Sequence, residues 1–171
     1  LEAPDEEPVV KPTVVDENYA KQINDFLSSE HRVMILTGNT KSGKTSLIPL
    51  IREQAFDCQF TDVPVFAYSN RIRKKMLESN PHLEEVESLF GTIYDFASET
   101  VDKFYKKTIP LKALEDISDG EKTLYVIDDS QLITNSELDT EQLQFGSGML
   151  LNDILKYMDL KARPNSKIIF I

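Results

Sequence analysis

Four short apolar runs stand out along the chain: Val33-Met34-Ile35-Leu36, Val63-Pro64-Val65-Phe66-Ala67, Thr123-Leu124-Tyr125-Val126-Ile127 and Lys167-Ile168-Ile169-Phe170-Ile171. They are continuous rather than alternating, as parallel strands buried on both faces are. Pro64 brings no N–H to a ladder, which argues against a central place for its strand. The intervening segments have helical spacing. Tyr19, Ile23, Phe26 and Leu27 mark one helix face behind Asp16 as N-cap, residues 46–51 start a second helix despite Pro49, and residues 70–77 form a third. Ser79-Asn80-Pro81 ends the third helix, and Pro81 is placed to start the next turn. Leu83, Val86, Leu89, Phe90, Ile93, Phe96, Val101 and Phe104 predict two short core-facing helices separated near Gly91. A loop or broken helix over residues 109–121 closes on the turn signal Ser118-Asp119-Gly120, and Ser136 to Gln144 is polar. Gly146-Ser147-Gly148 opens a helix with Met149, Leu150, Ile154 and Met158 apolar. Four strands alternating with helices give an α/β fold with a mainly parallel sheet.

Composition adds bounds. The 171 residues suffice for one domain with a sizeable core, and 40 % hydrophobic with 28 % charged residues fits an ordered core plus a polar segment. That segment is the start: residues 1–17 hold six acids, one lysine and three prolines, so residues 1–15 read as an acidic linker or disordered arm ahead of a domain at 16–171. The net charge of −10 argues against a protein that coats nucleic acid generally. Half of it lies in residues 1–17, and a local basic groove stays open. One cysteine, Cys58, excludes an internal disulfide, and with His31 and His82 it makes a poor zinc set. A reducing, cytoplasmic compartment fits, with no membrane segment.

The first run leads into Gly38-Asn39-Thr40-Lys41-Ser42-Gly43-Lys44-Thr45, which fits Gly-x-x-x-x-Gly-Lys-[Ser/Thr]. Strand, glycine loop and helix in this order let backbone N–H groups wrap anionic phosphates. Lys44 would reach the β- and γ-phosphates and the Thr45 hydroxyl would ligate Mg²⁺. The pattern arises by chance in about one chain in two hundred of this length.

Asp128 ends the third run, where a carboxylate can hold Mg²⁺ through water, and Asp129 follows it. Many such hydrolases use glutamate at the second position to orient and deprotonate water. Aspartate keeps the charge and shortens the reach.

With Gln131 this makes Asp128-Asp129-Ser130-Gln131, which resembles the Asp-Glu-x-Gln box of superfamily 1 helicases. Residues 14–171 as a whole resemble the first RecA-like domain of RecD-like members. The resemblance implies a P-loop NTPase fold, an ATP·Mg²⁺ cofactor, and hydrolysis by Lys44, Asp129 and Gln131, the glutamine sensing the γ-phosphate. It implies single-stranded DNA as partner, through Ser69, Asn70 and Arg71, in a segment like the family's Ala-Pro-Thr-x-Arg loop with Tyr68 and Ser69 replacing Pro and Thr. Arg73, Lys74 and Lys75 add positive charge there, either for phosphates or as a solvated helix face. Residues 88–94 resemble Thr-Ile-His-x-x-Ile-Tyr, with Phe90 for histidine, either in the core or stacking on a base. The family's adenine-reading glutamine falls, by register, at Tyr19, with Gln22 one turn on. Its Gly-Asp-x-x-Gln motif would begin just past Ile171, which suggests a fragment of a longer chain whose second RecA-like domain supplies the arginines. Such a fragment is expected to bind nucleotide and to hydrolyse it slowly.

Two other readings stay open. One is a P-loop ATPase or kinase-like switch that is no helicase. The other is a weakly catalytic nucleotide-binding scaffold.

Overall fold

The computed structural model describes residues 17–38, 43–113, 121–133, 142–160 and 162–171. The arm, Asp16, loop residues Asn39, Thr40, Lys41 and Ser42, the Ser118-Asp119-Gly120 turn and most of the 136–144 segment lie outside them.

Five strands form one parallel sheet: β1 (Val33–Ile35), β2 (Val65–Ala67), β3 (Val86–Ser88), β6 (Leu124–Ile127) and β8 (Lys167–Phe170), in the order β1-β8-β6-β2-β3. Register follows Val33↔Ile168, Val126↔Ile169, Val65↔Val126 and Val65↔Val86. Because strand side chains alternate between faces, neighbouring apolar residues feed two cores. Val65, Ala67, Leu124, Val126 and Ile169 pack with α1 (Glu17–Ser28), α2 (Ile48–Asp57) and α3 (Asn70–Ser79). Phe66, Tyr125, Ile127, Ile168 and Phe170 pack with α4 (Leu89–Ile93) and α5 (Leu150–Met158). The topology explains the partition. The chain steps one way across the sheet from β1 to β2 to β3 and the other way from β3 to β6 to β8, so right-handed crossovers put the two sets of helices on opposite faces.

The mainly parallel α/β sheet flanked by helices agrees with the sequence, with corrections. The main sheet has five strands, not four. Pro64 does not demote its strand: β2 is central, because the proline sits just ahead of it and contributes only its carbonyl, which accepts the Val126 N–H at 3.0 Å. Pro49 lies in the first turn of α2, where its missing N–H has no helical partner to lose. Pro81 starts a turn, as expected, and the turn leads to β3. The first apolar run is parallel but forms the sheet edge, so Val33 and Ile35 are exposed.

The largest correction concerns residues 83–108. In place of two helices there are β3, the five-residue α4, and a hairpin of β4 (Thr100–Val101) and β5 (Lys107–Ile109). Val86 was in step with a helix but pairs with Val65, since a three-residue strand leaves no period of its own. The hairpin joins β7 (Leu143–Phe145), a strand that overlaps the end of the segment expected only to be polar, in a second sheet ordered β4-β5-β7. Val101, Phe96 and Phe104, expected to face the core, are exposed.

Candidate functional site at the carboxyl ends of the strands

In an open α/β sheet, ligands bind beyond the carboxyl ends of the strands where the chain's direction reverses. Here the ends of β1, β8, β6 and β2 lie side by side. Beyond β1, Gly43 adopts φ +71°, a left-handed conformation that glycine takes without Cβ strain. A 3-10 turn, Lys44–Leu47, follows and runs into α2. Beyond β6, Asp128 is only 4 % exposed. Asp129 takes the left-handed conformation (φ 55°, ψ 40°), which aspartate tolerates better than most residues, and leads the 3-10 turn Ser130–Leu132. The Ser130 N–H donates to the Ile171 carbonyl at 3.0 Å and fixes this turn to the end of β8.

The Thr45 hydroxyl donates to Asp128 Oδ2 at 2.9 Å across 83 residues of sequence. The Asp129 N–H donates to Asp128 Oδ1 at 2.8 Å. Burial pushes the Asp128 carboxyl up from its ordinary value, while these two hydrogen bonds and Lys44 favour the ion. Gln131 Nε2 donates to Asp129 Oδ1 at 3.1 Å, and Lys44 Nζ donates to the Gly38 carbonyl at 3.3 Å. Gly43, Lys44, Thr45, Asp128, Asp129, Gln131 and Ile171 together line one small cavity. Lys44, Thr45, Asp128, Asp129 and Gln131, all expected at one site, are therefore neighbours. A hydroxyl and a carboxylate are hard oxygen donors that suit Mg²⁺. No group of three or more His, Cys, Asp or Glu among the described residues could hold a metal ion by itself.

A second cleft, of about 370 Å³, borders the same carboxylates on the α3 side, lined by Thr45, Lys75, Ser79, Asn80, Asp128 and Asp129 among others. Lys75 was expected, with Arg73 and Lys74, either to hold phosphates or to form a solvated helix face, and not to border these carboxylates. What could have marked it is its place at i+4 from Arg71 on a helix that starts beside the site.

The remaining expected residues divide. The Tyr19 hydroxyl donates to the Thr37 carbonyl at 3.3 Å, beside the start of the loop. Gln22 is exposed and donates to Asn18 at 3.1 Å; it lines a different cavity, with Val33 and Met34. Ser69 caps α3, its hydroxyl accepting the Ile72 N–H at 3.3 Å, and Asn70 and Arg71 are exposed on the first turn. Arg73 donates from Nε to the Val86 carbonyl, so it ties α3 to β3, while Lys74 is exposed. Phe90 is half-buried among Tyr68, Tyr94 and Phe145, with ring centroids 5.1, 5.5 and 5.4 Å away.

The β4–β5 hairpin carries a feature the sequence reading missed. Phe104 and Tyr105 are 76 % and 84 % exposed at its tip, between Lys103 and Lys106. Asp102 shapes the tip, its Oδ1 accepting the N–H groups of Phe104 at 2.8 Å and Lys106 at 2.9 Å. The usable signal was a turn-forming aspartate between two β-branched pairs.

No helix among the described residues is long and apolar enough to cross a membrane. No family model matches the chain, and no curated protein matches it.

Proposed function

We propose that the chain is the ATP-binding motor domain of a DNA helicase, with a RecA-like P-loop fold, coupling ATP hydrolysis to movement along single-stranded DNA. The observation that carries the reading is the 2.9 Å hydrogen bond from Thr45 to Asp128. A loop of the phosphate-binding pattern and a strand-end carboxylate have no reason in sequence to meet, yet their two Mg²⁺-type oxygen donors do. With one carboxylate and one hydroxyl, metal affinity would come mainly with the nucleotide's own phosphates. Mg²⁺, when bound, would neutralise phosphate charge. Residues 38–45 would hold the phosphates, Lys44 would stabilise charge developing on them, and Asp129, oriented by Gln131, would accept a proton from the attacking water. The DNA side is supported by exposed Asn70, Arg71 and Lys74 beyond β2, and by Phe104 and Tyr105 between lysines, since bases stack on exposed aromatics while cations hold phosphates.

One observation favours a second reading, phosphoryl transfer to a small acceptor: the cleft containing Lys75 opens beside Thr45 and Asp129. The experiment is steady-state ATP hydrolysis with and without single-stranded DNA, with Lys44→Ala as the blank. Stimulation by DNA that vanishes in the blank supports the motor. Lysine-dependent turnover indifferent to DNA favours the acceptor reading, and no turnover with nucleotide still bound favours a scaffold.

A further inference from the structure

At the opposite end of the sheet, where β1, β6 and β8 begin, lies a cavity of about 650 Å³ whose walls include Arg32, Lys122, Lys167, Cys58, Asp57 and Glu30. The proposed motor chemistry does not use it.

Its floor holds three cations. Lys167, 6 % exposed, donates to the carbonyls of Phe26 at 2.8 Å and Ser29, with its ammonium 4.8 Å from the Phe26 ring centroid. Arg32 donates to the carbonyls of Ser166, Leu160 and Arg163 at 2.7, 2.8 and 2.6 Å. Lys122 donates to the Cys58 carbonyl at 3.1 Å and sits 4.6 Å from the Phe60 ring centroid. All six carbonyls are neutral, and neither Glu30 nor Asp57 forms an ion pair with these cations among the described residues. The carboxyl ends of α1 and α2 explain why Lys167 and Lys122 sit here, but a helix end offers only about half a negative charge. Three cations therefore face one cavity against two carboxylates, Glu30 and Asp57, which stand exposed in its walls and pair with none of them. Burial, Lys122 and Arg32 together push the Lys167 ammonium down from its ordinary value, as such crowding requires.

We propose that this cavity is a second anion site, taking a compact phosphate-bearing ligand on Arg32, Lys122 and Lys167. Arg32 Nη1 and two of the three Lys122 protons are not engaged by the bonds above and would serve it. The rim sets the size. Glu30 and Asp57 are exposed, so an extended polyanion such as a nucleic-acid strand would meet repulsion as it left the cavity.

The chain's single cysteine, Cys58, lines the cavity and is half-buried, so its alkylation reports on occupancy. Iodoacetamide, an uncharged reagent, would be used on Lys44→Ala protein, which disables the phosphate loop, with inorganic pyrophosphate added at constant ionic strength. The expected result is a saturable slowing of alkylation whose midpoint rises about tenfold in a Lys122→Ala background and is restored by Lys122→Arg. No slowing, slowing that never saturates, or an unchanged midpoint in Lys122→Ala overturns the proposal. So does an oligodeoxynucleotide that protects Cys58 better than pyrophosphate. If Lys122→Ala does not fold, the parent titration with the Lys122→Arg comparison decides by the same criteria.

Discussion

Replacing Gly146 with alanine tests the packing behind the site at one atom. Gly146 has φ +50°, and a Cβ there would collide with Asp153 Oδ2 and lie 2.9 Å from its Cγ and 3.0 Å from Tyr94 Cε1. Asp153 has nowhere easy to go. It is buried on α5, accepts the Tyr94 hydroxyl at 2.7 Å and accepts the Ser147 N–H at 3.2 Å. The left-handed backbone costs a non-glycine residue about 1–2 kcal/mol. Breaking a buried hydrogen bond to a charged group costs about 1.5–3 kcal/mol more. Gly146→Ala should therefore lose about 2.5–5 kcal/mol, a large part of an ordinary domain's stability. Urea unfolding followed by circular dichroism would show this as a midpoint lowered by roughly 1–2 M with the slope unchanged. The clash supplies a sharper check. In an Asp153→Ala background the carboxylate is gone and only the approach to the Tyr94 ring remains, so the same glycine substitution should cost little beyond the backbone share of about 1–2 kcal/mol. Equal costs in the two backgrounds would refute the argument.

Asp128→Asn should match the parent in stability in acid and exceed it at neutral pH. Burial raises the native carboxyl's pKa, so the parent loses stability as pH rises through that value, and asparagine carries no charge to lose it with; pH-dependent unfolding without nucleotide reads this, while Mg²⁺-dependent ATP affinity should fall. Phe104→Ala with Tyr105→Ala should leave stability within about 0.5 kcal/mol, since both rings are exposed, and weaken single-stranded DNA binding at least about fivefold by fluorescence anisotropy. Arg73→Ala should destabilise by about 1 kcal/mol through loss of its bond to the Val86 carbonyl, whereas Lys74→Ala should leave unfolding unchanged and reduce the salt dependence of DNA binding. Gln131→Ala should lower the DNA-stimulated ATPase rate about tenfold or more while ATP affinity stays within about threefold, because it frees Asp129 without touching the phosphate loop; a pure affinity loss would contradict its orienting role.

The parts legible from sequence were those with local causes. Three of the strands, β2, β6 and β8, are apolar runs because both their faces are covered, and α1, α3 and α5 are long enough to show a period. The pairing of Thr45 with Asp128 was readable only because each sits in a recognisable local pattern. What failed were elements too short to have a period. β3 is three residues long and owes its existence to the exposed edge of β2, a tertiary fact. The β4–β5 hairpin puts Val101 and Phe104 outside although helical spacing aligned them with core residues, because Asp102 reverses the chain between them. The cations of this cavity were invisible for the same reason: Arg32 and Lys122 lie just before β1 and β6, Lys167 opens β8, and they meet only when the three strands stand side by side.

The strand order also limits how the proposed activities communicate. From β1 to β2 is three strand steps, or about 14 Å at the usual spacing, with the ends of β8 and β6 between. A bound phosphate at the loop and a strand held near Arg71 would therefore not touch. The element between them is the turn Asp129–Leu132, joined to both sides: through Ser130 to the Ile171 carbonyl, and through Asp128, whose side chain takes the Thr45 hydroxyl while its N–H donates to Phe66 in β2 at 2.9 Å. Its first residue already holds a left-handed backbone that only its surroundings maintain. A change in what Asp128 or Asp129 binds would shift a turn that borders every proposed ligand on this edge. That makes the turn, rather than the phosphate loop, the place where a substitution would separate hydrolysis from its response to DNA.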